Sequence, residues 1–188
     1  VMTEGTEYRN ETFFNITLGT DYYINEKNVI TLSGNFAYEK EEHPSSTKIS
    51  FFNPENELVS QYERNESTSA RNPKYQYDLQ YKKEFENNEE HVLQFSTLGT
   101  FFGKDQSSDF INTPLVGDEA DPNQYTETDF YQNDLIFKLD YTNPLSEKIT
   151  LETGGLYEIN DVGNEFAVYN RDGENLIPVT DLTNTLEY

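Results

Sequence analysis

Tyr131-Gln132-Asn133-Asp134-Leu135-Ile136-Phe137-Lys138-Leu139-Asp140-Tyr141 decides how the chain is read. Tyr131, Leu135, Phe137, Leu139 and Tyr141 fall on one face of an extended backbone, and Gln132, Asp134, Lys138 and Asp140 on the other, because successive side chains of a strand point to opposite sides. Five further stretches alternate in the same way. The expected strands lie near 13–24, 29–39, 75–85, 92–102, 130–142 and 149–160. Each is about ten residues long, the length that crosses a bilayer at a tilt, whereas strands of soluble domains run to about five or six.

The connections carry a second regularity. The gaps at 25–28, 87–91 and 143–148 are short, the last with Pro144 expected to break the ladder. The stretches 40–73, 104–128 and 161–188 are long and are expected to be extracellular loops, with an extra hairpin at 47–52 and 57–62 in the first. Short and long connections therefore alternate, as in outer-membrane barrels.

Side-chain placement adds a third. Ile16, Leu18, Leu32, Phe36, Leu79, Phe95, Leu135, Phe137, Leu139 and Leu151 are expected to face lipid. Tyr22, Tyr81, Phe85 and Tyr141 fall toward the short turns, and Phe14, Tyr38, Tyr75, Phe101, Tyr131 and Tyr157 toward the long loops. Two such girdles flanking an aliphatic band suit a membrane, since tyrosine keeps its ring in lipid and its hydroxyl in water. Asp21, Asp78, Lys82, Asp134, Lys138, Asp140 and Glu152 are expected to face the lumen, with Asp134 and Lys138 a candidate ion pair. The fold class expected is all-β: a segment of an antiparallel up-and-down transmembrane β-barrel. The rival is a soluble β-sandwich binding glycan or protein, whose apolar face would be its core. Gly34, Gly99 and Gly155 on the apolar face count against it, since glycine fills no core.

Composition fits. Aromatic residues make up 14%, with 14 Tyr, 13 Phe and no Trp, against only 34% hydrophobic residues in all. Disordered acidic chains are poor in aromatics. The net charge of −22 excludes nucleic acid as a partner, since a polyanion needs a basic patch. The absence of cysteine excludes a disulfide scaffold. No run of about 18 apolar residues predicts a membrane-crossing helix, which says nothing of a barrel. The opening Val1-Met2-Thr3-Glu4 is no natural start, and six strands fall below the eight of the smallest single-chain barrels, so a piece of a larger wall is expected.

Leu139-Asp140-Tyr141-Thr142-Asn143-Pro144-Leu145, followed by Lys148 and Leu151-Glu152-Thr153-Gly154, resembles a hairpin of the outer membrane β-barrel family abundant in Bacteroidota. Leu79-Gln80-Tyr81-Lys82-Lys83-Glu84-Phe85 with His91-Val92-Leu93 resembles another, and Asn25-Glu26-Lys27-Asn28 before Leu32-Ser33-Gly34 fits the hairpin preceding it. The likeness covers about 13–166. It implies a TonB-dependent receptor-like barrel in the outer membrane of a Gram-negative bacterium. Its partners would be outer-membrane lipid, the remaining strands, a plug, and surface lipoproteins or other complex subunits. A purely structural barrel subunit is a further reading.

No chemistry stands out. His43 and His91 lack a nearby nucleophile motif, so no enzyme and no organic cofactor are expected. Asp118, Glu119 and Asp121 are a weak Ca²⁺ candidate that does not follow EF-hand spacing. Asn170-Arg171-Asp172-Gly173 reads as a turn.

Overall fold

A computed structural model describes residues 1–85 and 88–188. They form one antiparallel sheet with no α-helix. Its strands are β1 (Met2–Glu7), β2 (Asn10–Asn25), β3 (Asn28–Phe52), β4 (Leu58–Phe85), β5 (Asn88–Val116), β6 (Gln124–Ser146), β7 (Ile149–Asp172), β8 (Asn175–Pro178) and β9 (Asn184–Glu187), with a single 3₁₀ turn at Thr180–Leu182. From β2 to β7 each strand pairs with the next. β1 continues β2 along the same edge of β3, and β8 and β9 share one edge of β7. The sheet is not closed: β2 and the 149–161 part of β7 are its exposed borders.

The six expected strands are β2 to β7, but the expected long loops over 40–73, 104–128 and 161–188 are mostly strand. β3 and β4 stay paired from Asn28↔Lys83 up to Phe52↔Leu58, and β5 and β6 up to Phe110↔Gln124. The hairpin read at 47–62 is the upper end of β3 and β4 around the turn 53–57, where Asn56 takes φ 64°. Apolar–polar alternation stops in these stretches because both faces there are wet, while the backbone ladder continues. β5, with 29 residues, runs to about 95 Å at roughly 3.3 Å per residue. That is three times a bilayer's hydrocarbon core of about 30 Å. The apolar band occupies only the short-turn end of each strand, and the ladder continues well beyond it.

Two turn readings change. Pro144 does not break the ladder: it opposes Thr150 beside a register shift, and the turn proper is 147–148. Proline is tolerated at such an irregularity. The second turn lies at 173–174, closed by Asp172↔Asn175, with Gly173 supplying φ +60°. Of the short gap at 87–91, residue 87 lies outside the described residues; β5 begins at Asn88.

Burial separates the barrel from the sandwich. A compact monomer of 21.9 kDa exposes about 9,300 Å². This chain exposes 13039 Å². The buried hydrophobic residues are Ala37, Tyr62, Ala70 and Val168, while Leu18 and Tyr22 are 70% and 66% exposed. No second sheet covers the apolar face among the described residues, so a sandwich core is absent.

Candidate functional site

Register fixes the two faces. One row of paired residues runs Leu18–Gly34–Tyr77–Gly99–Leu135–Ile159, and the next Thr20–Leu32–Leu79–Thr97–Phe137–Tyr157. All residues expected to face lipid or form the girdles share this face. At the row of Ile16 the rings touch in sequence: Phe14 to Phe36 at 6.2 Å, Phe36 to Tyr75 at 5.2 Å and Tyr75 to Phe101 at 5.5 Å. Phe36, expected in the aliphatic band, is thus part of the aromatic row.

Tyr157 does not align with Phe14; it opposes Phe137, level with Leu79. The apolar stretch spans 14–24 on β2 and 149–159 on β7, and Ile159 is level with Leu18 rather than Phe14. The band therefore drifts by about four residues across five strand pairs. With strands about 4.8 Å apart this is a tilt of roughly 30° to the membrane normal, close to that of known barrels.

The opposite face, termed the inner one, carries Asp21, Asp78, Lys82, Asp134, Lys138, Asp140 and Glu152. Asn35 donates to Asn15 and Thr17, Thr31 to Asp21, and Thr100 and Gln132 to Asp134. The expected Asp134–Lys138 pair is not made; Lys138 binds Asp140 at 2.8 Å. Residues two apart on one face are within reach, and residues four apart are not. Lys82 likewise pairs with Glu84 at 2.7 Å.

Across β5 to β7 the same face also carries large apolar side chains, set among polar ones such as Asp134 and Gln132. Leu98 opposes Ile136, and Phe102 lies level with Gln132 and Val162. The Phe102 and Phe130 rings stand 5.8 Å apart, with the Lys74 ammonium 5.2 Å over Phe102. Sequence reading missed this stripe, although Leu98 and Ile136 already break the alternation of their strands.

Beyond the apolar band, β1, β3, β4 and β5 line a polar cleft of about 710 Å³, with Glu7, Arg9, Glu41, His43, Glu66 and Lys104 among its residues. His43 sits between two carboxylates, 3.7 Å from Glu11 and 4.0 Å from Glu41. Buried Asn72 donates to Glu39 and Glu41, and Lys104 reaches Glu41 at 3.8 Å. Thr68 and Ser108 share a buried hydrogen bond of 2.6 Å. The second histidine, His91, lies on the other face and bonds the Tyr141 hydroxyl at 2.8 Å.

Residues 83–188, more than half of the chain, match the outer membrane protein beta-barrel family. The chain belongs to that family. No curated protein matches it. Membership places the barrel in an outer membrane.

The barrel's 117–123 loop folds back toward the inner face and is tied there. Arg64 binds Asp121 at 2.7 Å and Asn112 at 2.9 Å; the buried Tyr62 hydroxyl donates to Asp121 at 2.6 Å. Asn112 in turn holds the Asn123 side chain and the Pro122 carbonyl. Burial, then the Asp121 hydrogen bond and charge, push the Tyr62 phenol above its ordinary value, so it remains a donor through neutral pH. Asp121 is thereby engaged by protein, and among the described residues no group of three or more carboxylate or histidine side chains could hold a metal, which leaves the Asp118, Glu119 and Asp121 candidate without a cage. Arg64→Ala should free the loop: since both partners are partly solvated, the loss is about 1 kcal/mol, read as roughly fivefold faster proteolysis at 117–123 with the barrel intact.

Proposed function

We propose that this chain is wall for a TonB-dependent receptor-like transporter in the outer membrane of a Gram-negative, Bacteroidota-type bacterium, non-enzymatic and filled by a plug. The observation that carries this is the set of large apolar side chains that β5 to β7 place among polar ones on the inner face. A water-filled pore needs only the polar ones. The stripe of Leu98, Phe102, Phe130, Ile136 and Val162 would be left wet unless a folded segment occupies the lumen. The long strand extensions and the polar cleft above the membrane give such a transporter a vestibule for its cargo. Remaining strands of the wall pair along the open edges of β2 and β7.

The chain contains no cysteine, so single thiols report cleanly. Phe130→Cys in the full-length protein in vesicles should react slowly with a water-soluble maleimide, and quickly once the lumenal segment is deleted. Equal, fast labelling of Phe130→Cys with and without that segment means an open, wet lumen, and the plugged-transporter reading fails.

A further inference from the structure

At the short-turn rim, the 26–27 turn and the end of β4 form a cleft of about 540 Å³ lined by Asn25, Glu26, Lys27, Lys83, Glu84 and Phe85, with Asn28 beside them. Lys83 belongs to the outer face: its register partners are Asn28 and Leu93, both uncharged. Its ammonium lies 4.9 Å over the Phe85 ring. Phe85 stacks on His91 at 4.0 Å, and His91 in turn bonds Tyr141. Most cations of this acidic chain are matched to carboxylates, among them Lys40, Lys82, Lys104 and Lys138. Lys83 makes no ion pair among the described residues, and Glu84 in the same cleft is engaged by Lys82.

We propose that this cleft holds the phosphate of a lipid headgroup, with Lys83 as its cation. The inference rests on the outer face meeting lipid. A charge on that face must either reach the headgroup layer or find an anion, and a phosphate supplies both. Its depth agrees. Arg71, on the same face of β4, stands twelve residues above Lys83 (83 − 71), with Pro73, Tyr75, Tyr77, Leu79 and Tyr81 between them. Twelve residues are about 40 Å of strand, or about 34 Å along the normal at the tilt of roughly 30°, enough to span a hydrocarbon core of about 30 Å. When Arg71 is in one headgroup layer, Lys83 is in the other. Phe85 forms the apolar floor on which the glycerol backbone rests, and His91, stacked on Phe85 and bonded to Tyr141, holds that ring in place.

The test is native mass spectrometry of the full-length protein in neutral detergent, offered phosphatidylglycerol, diacylglycerol with the same tails, or inorganic phosphate as competitor. Wild type should retain phosphatidylglycerol in preference to diacylglycerol. Lys83→Gln should lower that retention about fivefold, the effect of one surface cation on an anionic lipid, and Lys83→Arg should keep it. Heat-modifiable mobility should be unchanged in both variants. Unchanged retention in Lys83→Gln, equal retention of diacylglycerol, or displacement by inorganic phosphate overturns the site while leaving the barrel standing. A wild-type protein that shows no detergent-dependent fold overturns the membrane wall itself.

Discussion

Leu79→Arg abolishes insertion of the barrel, while Gln80→Arg, one residue along the same strand, leaves it intact. Leu79 stands in the row Leu32–Leu79–Thr97–Phe137, near the middle of the apolar stretch of β4. A guanidinium there must be dragged to an interface or left in hydrocarbon, at about 2–4 kcal/mol on the lipid face of a barrel at midplane depth. That is roughly 30- to 1,000-fold in the folding equilibrium, comparable to a large share of a barrel's margin. Gln80 projects to the other face, level with Thr31 and Ser96, where another polar chain is solvated. The comparison is read as the fraction with heat-modifiable mobility after refolding into vesicles, and as urea midpoints of whatever folds. Equal damage from both variants would mean that β4 does not separate a lipid side from a wet side. Equal tolerance would place the whole strand outside the bilayer.

The contrast between neighbouring residues shows what a sequence can express about such a wall. Where one face meets lipid and the other water, every second residue is constrained, and the pattern through Leu79, Phe95, Phe137 and Leu139 is legible at once. Beyond the aromatic row both faces meet water, and the constraint disappears: Ser67, Ser69 and Ser107 occupy the outer side of strands as regular as those below. Hydrogen bonding of the backbone leaves no side-chain signature, so stretches such as 58–73 read as loops. The polar cleft is hidden for the same reason. His43, Glu41, Asn72 and Lys104 come from three strands, and only the register brings them together. Tyr157 illustrates a subtler loss: its place in the alternation is evident, but its height depends on a tilt accumulated over five strand pairs. The 117–123 loop was legible as acidic, not as latched, because Arg64 lies more than fifty residues away in the chain. The apolar inner stripe alone left a signal, Leu98 and Ile136 falling out of step.

The glycines of the apolar face give the second large effect. A side chain at Gly99 would overlap the ring of Tyr77, its register partner, and one at Gly163 the ring of Tyr131, its own partner. In each case the tyrosine lies flat across the neighbouring strand, and the missing Cβ is the space it occupies. Gly99, which would fill no core, is therefore a seat for an aromatic ring on a surface with no second layer to pack against, as is Gly163. Gly99→Val should evict Tyr77 from its seat, at the 1–3 kcal/mol typical of overpacking, and Gly163→Val should do the same to Tyr131. Because the two seats share no residue, the double variant should lose close to the sum. Gly155 supplies the control: nothing lies within 4 Å of where its Cβ would be, so Gly155→Val should shift the urea midpoint little. Trimming the ring separates fit from propensity. In a Tyr77→Ala background, Gly99→Val should cost far less than in the wild type, because the ring that excluded it is gone. If the cost is the same with and without Tyr77, the glycine is needed by the backbone and the ring rests on it by accident. If it vanishes, the cross-strand seat is one of the interactions that hold neighbouring strands in register where no core exists to do so.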